Sequence, residues 1–433
     1  MTITIIGHGY VGLVTACVFA NFGNQVGVIG RTPEKIKKLN GGDPLIYEPG
    51  LEELLQKNLE ARRLKFTLDY DPTIKNSQVV FIAVGTPSGD NGEANLSQVF
   101  SVAEKIAENL KDDYTVVSCK STVPVGTNRK IKEIISRKIN SSVKFDVVST
   151  PEFLREGTGI SDTTHPDRIL IGSESKKATK IMLDLHREIS GERVVTNLAS
   201  AELIKYASNS MLATKISFAN LISFYCEKSG ANAEQVLSAV GLDNRIGSKF
   251  LNPGIGYGGA CFPKDVKALI HTGHELQVNT GLLDEVENIN KLARNSFAEK
   301  IIKNSKGKKL GIWGLSFKPN TDDVREAPSI FIIKKLLENN FEITAYDPEA
   351  MKHIQKQFGN KIKFVDDPYK VSEGTDNLAI FTEWNEFKQI DLKRVKKLMR
   401  GKVIFDGRNI YDLDKMKELG FEYHSVGRKT ISV

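Results

Sequence analysis

The chain has 433 residues, 40% apolar and 26% charged, with a formal net charge of +7 at pH 7. This length exceeds what one ordinary hydrophobic core supports, so the sequence predicts two or three globular domains. It contains no apolar run long enough to cross a bilayer, and its N-terminus, "MTITIIGHGYVG", lacks a signal-peptide pattern. We therefore expect a cytoplasmic protein that has no membrane partner.

The distribution of charges and cysteines bears on further classes of protein. The lysines are scattered without interleaved aromatic residues, so we expect no nucleic-acid partner. The positive excess suits either an anionic ligand such as a nucleotide or a lysine-rich solvated surface. The cysteines Cys17, Cys119, Cys226 and Cys261 form no CxxC pair. We therefore expect no metal and no disulfide framework, and a reduced compartment is the simplest setting.

The first part of the chain alternates apolar β-branched runs with helical patterns. The predicted strands are "TITIIG", "QVGVIG", "QVVFIAVG", "YTVVSCKS", "FDVVSTPEF" and "RILIGS". Helical spacing in "YVGLVTACVFANFG" and "LSQVFSVAEKIAENL" separates some of them. This alternation is typical of a doubly wound α/β domain, which we expect over residues 1–196.

Beyond that domain the pattern changes. Residues 200–230 contain no proline and no internal glycine, and they predict one helix about 45 Å long. Because the helix is apolar on more than one face, we expect a central helical domain over 197–304 that also pairs two subunits in a homodimer. The strand patterns "KKLGIWG", "EITAYDP", "NLAIFTEW" and "KVIFDGRN" then predict a smaller α/β domain over 305–433. The predicted fold is thus α/β, with two Rossmann-like doubly wound domains joined by a central helical domain.

A glycine motif follows the first predicted strand. "GHGYVG" places Gly7, Gly9 and Gly12 in a GxGxxG pattern, with Tyr10 and Val11 opening the next helix. Glycine permits the tight turn and lets the backbone approach a pyrophosphate, while the helix N-terminus offers N–H groups to it. The motif therefore predicts a dinucleotide site.

The end of the second predicted strand bears on the choice of dinucleotide. An acidic side chain is expected there to hold the adenosine ribose hydroxyls, but the sequence has Gly30 and Arg31. An arginine in this place can pair with the 2′-phosphate of NADP. The sequence therefore favours NADP over NAD, unless Arg31 is only a solvent-facing loop residue.

Cys261 lies in "PGIGYGGACFPKD", after mobile glycines and before charged residues. Spacing alone leaves it as either a nucleophile or a small residue in a turn. The other three cysteines lie in apolar patterns, and we expect them to be buried packing residues.

Long motifs in the chain resemble the UDP-glucose/GDP-mannose dehydrogenase family. They are, in order, "GHGYVGL", "VGTPS", "STVPVGT", "PEFLREG", "ELIKYASN", "RIGSKFLNPGIGYGGACFPKD", "FKPNTDDVREAPS", "TEWNEF" and "FDGRNIYD". The resemblance covers essentially the whole chain and is closest to the branch that acts on UDP-glucose. It implies oxidation of a sugar-nucleotide primary alcohol to a carboxylate, with two NAD or NADP molecules and one water consumed.

This chemistry needs a nucleophile, because an aldehyde donates a hydride poorly until something has added to it. Addition of a thiolate gives a thiohemiacetal, whose oxidation leaves a thioester that water can hydrolyse. The resemblance implies that Cys261 is this nucleophile. It implies that Lys205 and Asn209 stabilise negative charge at the sugar C6, that Asp265 orients or activates water, and that Glu152 acts as an acid or base through water.

The resemblance also assigns binding positions. Thr122 would hold water and cofactor near the catalytic site. The further cofactor positions are Lys35, Thr86, Glu156, Lys264 and Arg325. The substrate positions, besides Lys205 and Asn209, are Glu152, Phe153, Leu154, Arg155, Glu156, Arg245, Phe250, Leu251, Asn252, Pro253, Gly254, Gly258, Lys318 and Arg408. Arg245 would reach the substrate of a neighbouring subunit, which requires a dimer.

Two departures and three rival interpretations accompany the resemblance. The missing acid at Gly30 puts the usual NAD preference in doubt, and Ala260 stands where many members of this branch have serine.

A two-electron dehydrogenase of the 6-phosphogluconate or hydroxyisobutyrate type would need neither the cysteine nor the C-terminal domain. The substrate could instead be UDP-N-acetylmannosamine, UDP-N-acetylglucosamine or GDP-mannose. A catalytically dead scaffold would have no reason to keep Cys261, Lys205, Asn209 and Asp265 together.

Overall fold

A computed structural model describes residues 1–111 and 113–432. They form two compact units, one containing Met1–Ser208 and Lys267–Glu275, the other containing Asn209–Val266 and the chain from Leu276 onwards. The stretch predicted as a central helical domain is divided between both units. The three-domain division at residues 196/197 and 304/305 stays a prediction.

An eight-stranded sheet forms the centre of the first unit. Its strands are β1 (Thr2–Ile6), β2 (Gln25–Ile29), β3 (Leu64–Thr67), β4 (Val79–Ile82), β5 (Tyr114–Cys119), β6 (Lys144–Ser149), β7 (Arg168–Ser173) and β8 (Glu192–Thr196). They lie in the order β3-β2-β1-β4-β5-β6-β7-β8, and only β6 and β7 pair antiparallel. The chain changes direction of winding between β1 and β4, the place where open parallel sheets bind ligands.

Helices cover this sheet, whose inner strands are apolar on both faces. They are α1 (Tyr10–Asn21), α2 (Pro33–Asn40), α3 (Leu51–Glu60), α4 (Asp71–Lys75), α5 (Ser97–Asn109), α6 (Thr127–Lys138), α7 (Gly159–Thr164) and α8 (Lys176–Leu185). Ile3, Ile5 and Phe81 belong to one buried cluster, and Ile6, Val80 and Ile82 to a second. Because neighbouring residues of a strand point to opposite faces, the two clusters are the two covered faces of the sheet.

The long helix of the predicted central region is confirmed. It is α9 (Leu198–Ser229), and it ends at Gly230, whose φ of 82° is in the left-handed region that glycine adopts at little cost. Its first turns belong to the first unit and the remainder to the second. The helices α10 (Ala233–Gly241), α11 (Phe262–Glu275) and α12 (Gly281–Asn304) follow.

The second unit contains a six-stranded parallel sheet in the order β11-β10-β9-β12-β13-β14. The strands are β9 (Lys309–Trp313), β10 (Glu342–Tyr346), β11 (Ile362–Phe364), β12 (Asn377–Ile380), β13 (Val403–Asp406) and β14 (Glu422–His424). Its helices are α13 (Pro328–Glu338), α14 (Met351–Phe358), α15 (Pro368–Ser372), α16 (Asn385–Gln389), α17 (Leu392–Leu398) and α18 (Leu413–Glu418), with a 3₁₀ turn at Gly359–Lys361. The predicted α/β class is confirmed, with one wholly parallel sheet and one that is parallel except between β6 and β7.

Within residues 1–111 and 113–432, no helix is both long and apolar enough to cross a membrane.

Candidate functional site

The turn between β1 and α1 has the geometry of a pyrophosphate cradle. Gly7 has a φ of 112°, and a Cβ there would lie 2.3 Å from the carbonyl oxygen of Ala83. A Cβ on Gly12 would lie 2.1 Å from the carbonyl oxygen of Gly7. By contrast, no atom lies within 4 Å of the Cβ position of Gly9, which precedes the first turn of α1. The turn is therefore too tight for side chains at Gly7 and Gly12. At Gly9 it leaves open space beside the N-terminus of α1.

That open space fits a dinucleotide. The first N–H groups of a helix, here those of Tyr10 and its neighbour Val11, have no carbonyl partner within the helix, and the helix dipole adds positive charge there. An anionic pyrophosphate satisfies both features. Arg31 and Lys35, predicted to contact the cofactor, are exposed beyond the end of β2.

Two predicted threonines meet beyond β4 and β5. The hydroxyl of Thr86, which is buried, donates to the carbonyl oxygen of Thr122 at 2.9 Å. Because the two strands are parallel neighbours, their carboxyl ends lie on the edge that also carries the glycine turn. The contact fixes both loops at the edge where a nicotinamide dinucleotide binds in this architecture.

Lys205 and Glu152 form a buried ion pair in the first unit. Their Nζ and Oε1 atoms are 3.5 Å apart, and their side chains are 4% and 7% exposed. The other carboxylate oxygen of Glu152 accepts from the backbone N–H of Leu154 at 2.7 Å. The Lys205 Nζ also lies 5.2 Å from the centre of the Phe153 ring. The lysine is therefore not on a solvated face, and the loop that carries Glu152 holds it in place.

Glu48, which the sequence did not single out, anchors that same loop. Its carboxylate accepts from the backbone N–H groups of Gly157 and Gly159 at 2.6 and 2.7 Å and is bonded by the Tyr10 hydroxyl. Burial and the Glu48 carboxylate raise the pKa of Tyr10 far above its usual value, so the phenol stays a donor. The backbone around Glu156 is thereby tied to the first turn of α1.

Lys120 is a second residue that sequence reasoning missed. Its pKa is lowered to about 8, mainly by burial at the end of β5; nearby Glu152 opposes this shift and Lys205 adds to it. Its signal was present, since a lysine directly follows the apolar strand "YTVVSC". Lys120, Lys205 and Glu152 are therefore close enough at this edge to influence one another's charge.

In the second unit, Asp265 is held by two side chains. It is 1% exposed, and its Oδ2 accepts from Nδ2 of Asn209 at 2.6 Å. The ammonium of Lys264 pairs with its other oxygen. Asn209 lies one turn after Lys205 on α9 and is itself buried. The two helix residues predicted to act together therefore have different carboxylate partners.

Cys261 is exposed and directly precedes α11. Its carbonyl oxygen accepts from the backbone N–H of Asp265 at 2.8 Å, which is the first bond of that helix. The positive end of the helix dipole therefore stabilises negative charge on the sulfur. The other cysteines are buried, and burial raises the pKa of Cys17 and of Cys119 to about 12, so these two remain thiols.

The glycine loop before Cys261 packs on the C-terminal part of the same unit. A Cβ on Gly254 would lie 3.2 Å from Nη1 of Arg408, and one on Gly258 would lie 2.3 Å from the carbonyl oxygen of Glu326. Arg408 is fixed by a bond from its Nε to the Phe381 carbonyl oxygen at 2.8 Å. Lys318 lies over the Phe317 ring, 5.5 Å from its centre.

The remaining residues of the loop adopt a defined conformation. Phe250 has a φ of 65°, Leu251 and Pro253 are buried, and Asn252 is exposed. The N–H of Gly254 donates to the side-chain oxygen of Asn220 at 2.8 Å. The predicted loop and Arg408 therefore lie together in the second unit.

Three predicted arginines are exposed and pair with aspartates close in sequence. Arg155 bonds Asp162, with Nη2 and Oδ1 2.7 Å apart. Arg245 and Arg325 each pair at 2.7 Å with the aspartate two residues earlier, and their side chains are 89% and 62% exposed. Each of these guanidinium groups is therefore oriented by an aspartate of its own loop.

Known proteins resemble the chain over its full length. Models of the UDP-glucose/GDP-mannose dehydrogenase family match it three times: the NAD binding domain over residues 1–190, the central domain over 199–292 and the UDP binding domain over 311–413. UDP-glucose 6-dehydrogenase TuaD of Bacillus subtilis (strain 168) is 44% identical over 432 residues, which are 99% of this chain and 94% of that protein.

Solved structures of similar proteins share the fold of this chain. A UDP-glucose dehydrogenase from the hyperthermophilic archaeon Pyrobaculum islandicum superimposes with a TM-score of 0.92 at 35% identity and covers 99% of this chain and 98% of its own. The UDP-D-ManNAc dehydrogenase of Pyrococcus horikoshii has a TM-score of 0.86 at 29% identity, with 99% of both chains covered.

Proposed function

Because the chain belongs to the UDP-glucose/GDP-mannose dehydrogenase family, we propose that it oxidises UDP-glucose to UDP-glucuronate with NAD or NADP. The observation that carries this proposal is the exposed thiol of Cys261 at the start of α11, four residues before the buried carboxylate of Asp265. Similarity to a UDP-glucose 6-dehydrogenase over 99% of the chain supports the choice of sugar.

Two dinucleotides, bound one after the other at the glycine turn, would each accept one hydride, so that the sugar is oxidised twice. The first oxidation converts the C6 alcohol of the sugar into an aldehyde. The Cys261 thiolate then adds to the aldehyde carbon and forms the C–S bond of a thiohemiacetal, whose oxidation leaves a thioester. Water breaks the C–S bond, the carboxylate departs, and the sulfur takes back a proton.

Lys205 and Asn209 stabilise the negative oxygen that develops at C6. A lysine that is 4% exposed and fixed by a carboxylate is already desolvated and oriented, so it need not reorganise when charge appears. Asn209 is oriented by its bond to Asp265. Asp265 and Glu152 are the carboxylates that move protons through water, and Thr122 positions water and cofactor near them.

We assign the remaining contacts by the same reasoning. The loop from Phe250 to Gly254, together with Gly258, binds the uridine diphosphate beside Lys318 and Arg408, whose positive charges match the two phosphates. The residues from Phe153 to Glu156 complete the sugar side. Lys35, Thr86, Lys264 and Arg325 contact the dinucleotide together with the glycine turn. Beyond β2, Gly30 and Arg31 favour NADP.

We also propose a homodimer through α9. Met211, Phe218 and Tyr225 follow each other at seven-residue intervals and are 60%, 44% and 67% exposed. Residues at this spacing share one helix face, so they form an apolar stripe suited to a second copy of the same helix. Arg245, exposed in the same unit, would reach the neighbouring substrate. A reduced cytoplasm keeps Cys261 a thiol.

The proposal is tested with Cys261→Ser and wild type, using UDP-glucose and, in parallel, UDP-N-acetylmannosamine, UDP-N-acetylglucosamine and GDP-mannose. Wild type should turn over UDP-glucose with the highest kcat/KM, and the variant should bind UDP-glucose in calorimetry but form no UDP-glucuronate. Normal acid production by the variant would remove the covalent mechanism. A higher kcat/KM for another sugar nucleotide would overturn the choice of substrate.

A further inference from the structure

His8, the second residue of the glycine motif, lies beside the end of β2. The strands β1 and β2 pair in register up to Ile6 and Ile29, and the N–H of Gly7 donates to the Ile29 carbonyl oxygen at 3.0 Å. His8 and Gly30 are the next residues at this edge. In doubly wound dinucleotide-binding domains the adenosine ribose lies here.

The imidazole of His8 fills the space that a side chain at position 30 would need. A Cβ on Gly30 would lie 2.6 Å from Cδ2 and 3.0 Å from Nε2 of His8, and 2.6 Å from Cδ1 of Ile36. Carbon atoms in favourable contact are about 3.5–4.0 Å apart. A carboxylate at position 30 and the histidine ring in this position therefore exclude each other.

The surroundings of this ring are positively charged. His8 is half-buried, and its pKa is lowered by burial and by the charges of Lys35 and Arg31. Thr32, at the N-cap of α2, makes no side-chain capping bond. Glu34, the acidic residue in the first turn of α2, is exposed and is not among the causes that shift the pKa of His8.

We propose that His8 is a specificity-determining residue, which keeps a ribose-binding carboxylate out and donates an N–H to the 2′-phosphate of NADP beside Arg31 and Lys35. The protonated ring offers two N–H groups, so it can keep the hydrogen bond to its own backbone, which raises its pKa, and donate the other N–H to the phosphate. The inference rests on the proposed function in that a dinucleotide binds at the glycine turn and in that Gly30 and Arg31 favour NADP.

The test uses calorimetry with 2′,5′-ADP and 5′-AMP, which differ by the 2′-phosphate and report binding without turnover. Wild type should bind 2′,5′-ADP more tightly. His8→Ala and His8→Phe should each weaken 2′,5′-ADP binding by about tenfold, the value of one bond to a charged group, and leave 5′-AMP within about threefold. Lys38→Ala removes a more distant charge from α2, paired with Asp43 at 3.8 Å, and should leave the ratio of the two affinities unchanged.

A second arm tests the steric claim. Gly30→Asp alone, or combined with His8→Phe, should not improve 5′-AMP binding, because a ring still occupies the space. Gly30→Asp combined with His8→Ala should improve it by about tenfold, since only the flexible end of the Ile36 side chain then lies close to the new Cβ, and it can turn away so that the carboxylate reaches the ribose hydroxyls.

An unchanged ratio of affinities in both His8 variants would overturn the proposal, as would equal binding of the two ligands by wild type. Tighter 5′-AMP binding by the single Gly30→Asp variant would refute the claim that the His8 ring keeps a carboxylate out of position 30. Each of these results is independent of UDP-glucose oxidation, so an enzyme that still makes UDP-glucuronate would keep its proposed function while His8 lost its role.

Discussion

Replacing Lys205 with methionine removes one member of the buried pair with Glu152. At 3.5 Å the two charges attract by about 5 kcal/mol for an effective dielectric constant of about 20. Breaking such a pair costs about 3–5 kcal/mol, because a charge is left buried without its partner. Since Glu152 keeps its bond from the Leu154 N–H, we expect the lower end, a loss of about 3 kcal/mol in the free energy of unfolding.

The assay is urea unfolding followed by far-UV circular dichroism, for wild type, Lys205→Met, Glu152→Gln and the double variant. Glu152→Gln keeps the shape and removes the charge, so the double variant should regain about 2 kcal/mol relative to Lys205→Met. Both tryptophans, Trp313 and Trp384, lie buried in the second unit, so their fluorescence provides an internal control for that unit. A coupling free energy below about 0.5 kcal/mol in the double-mutant cycle would refute the reasoning.

Burial lowers the pKa of His186 from 6.5 to about 4 in the folded protein. Between pH 4 and pH 6.5 the unfolded chain therefore binds more protons at this residue than the folded protein does. Stability should therefore fall by about 2 kcal/mol from pH 7 to pH 5, and His186→Asn should flatten that slope in urea titrations. Asp265→Asn should lower the kcat for acid formation about 100-fold or more while calorimetric binding of UDP-glucose persists; retained kcat would remove its proton-moving role. Gly9→Ala, with open space around its Cβ, should keep the melting temperature within about 2 °C but weaken NADP binding about tenfold. Gly12→Ala, with 2.1 Å to a carbonyl oxygen, should melt several degrees lower, and equal melting of both glycine variants would contradict this contrast.

Residues of the inner strands could be predicted from the sequence because they are buried on both faces. β4 is a continuous apolar run, β1 and β5 interrupt theirs only with threonine or serine, and each predicted strand is present. The strands that sequence reasoning missed, β3, β8, β11 and β14, lie at the edges of the two sheets. An edge strand has a partner on one side only and needs fewer apolar residues, as the largely exposed "ERVVT" of β8 illustrates.

The candidate site could be predicted where its residues are close in sequence. Cys261 directly precedes the helix whose first turn contains Asp265, and the periodicity of α9 places Lys205 and Asn209 one turn apart. The partner of each helix residue could not be predicted, because Glu152 and Asp265 reach them through tertiary packing. The same limit applies to Glu48, whose bonds to Gly157 and Gly159 join distant parts of the first unit.

The most direct test of the central claim is the number of reduced dinucleotides formed per UDP-glucose. Limiting UDP-glucose is oxidised to completion with NAD and, separately, with NADP, and the absorbance endpoint of the reduced cofactor is compared with UDP-glucuronate determined by chromatography. A covalent mechanism through Cys261 predicts two reduced dinucleotides for each UDP-glucuronate. One reduced dinucleotide per sugar, with an aldehyde as the product, would contradict it.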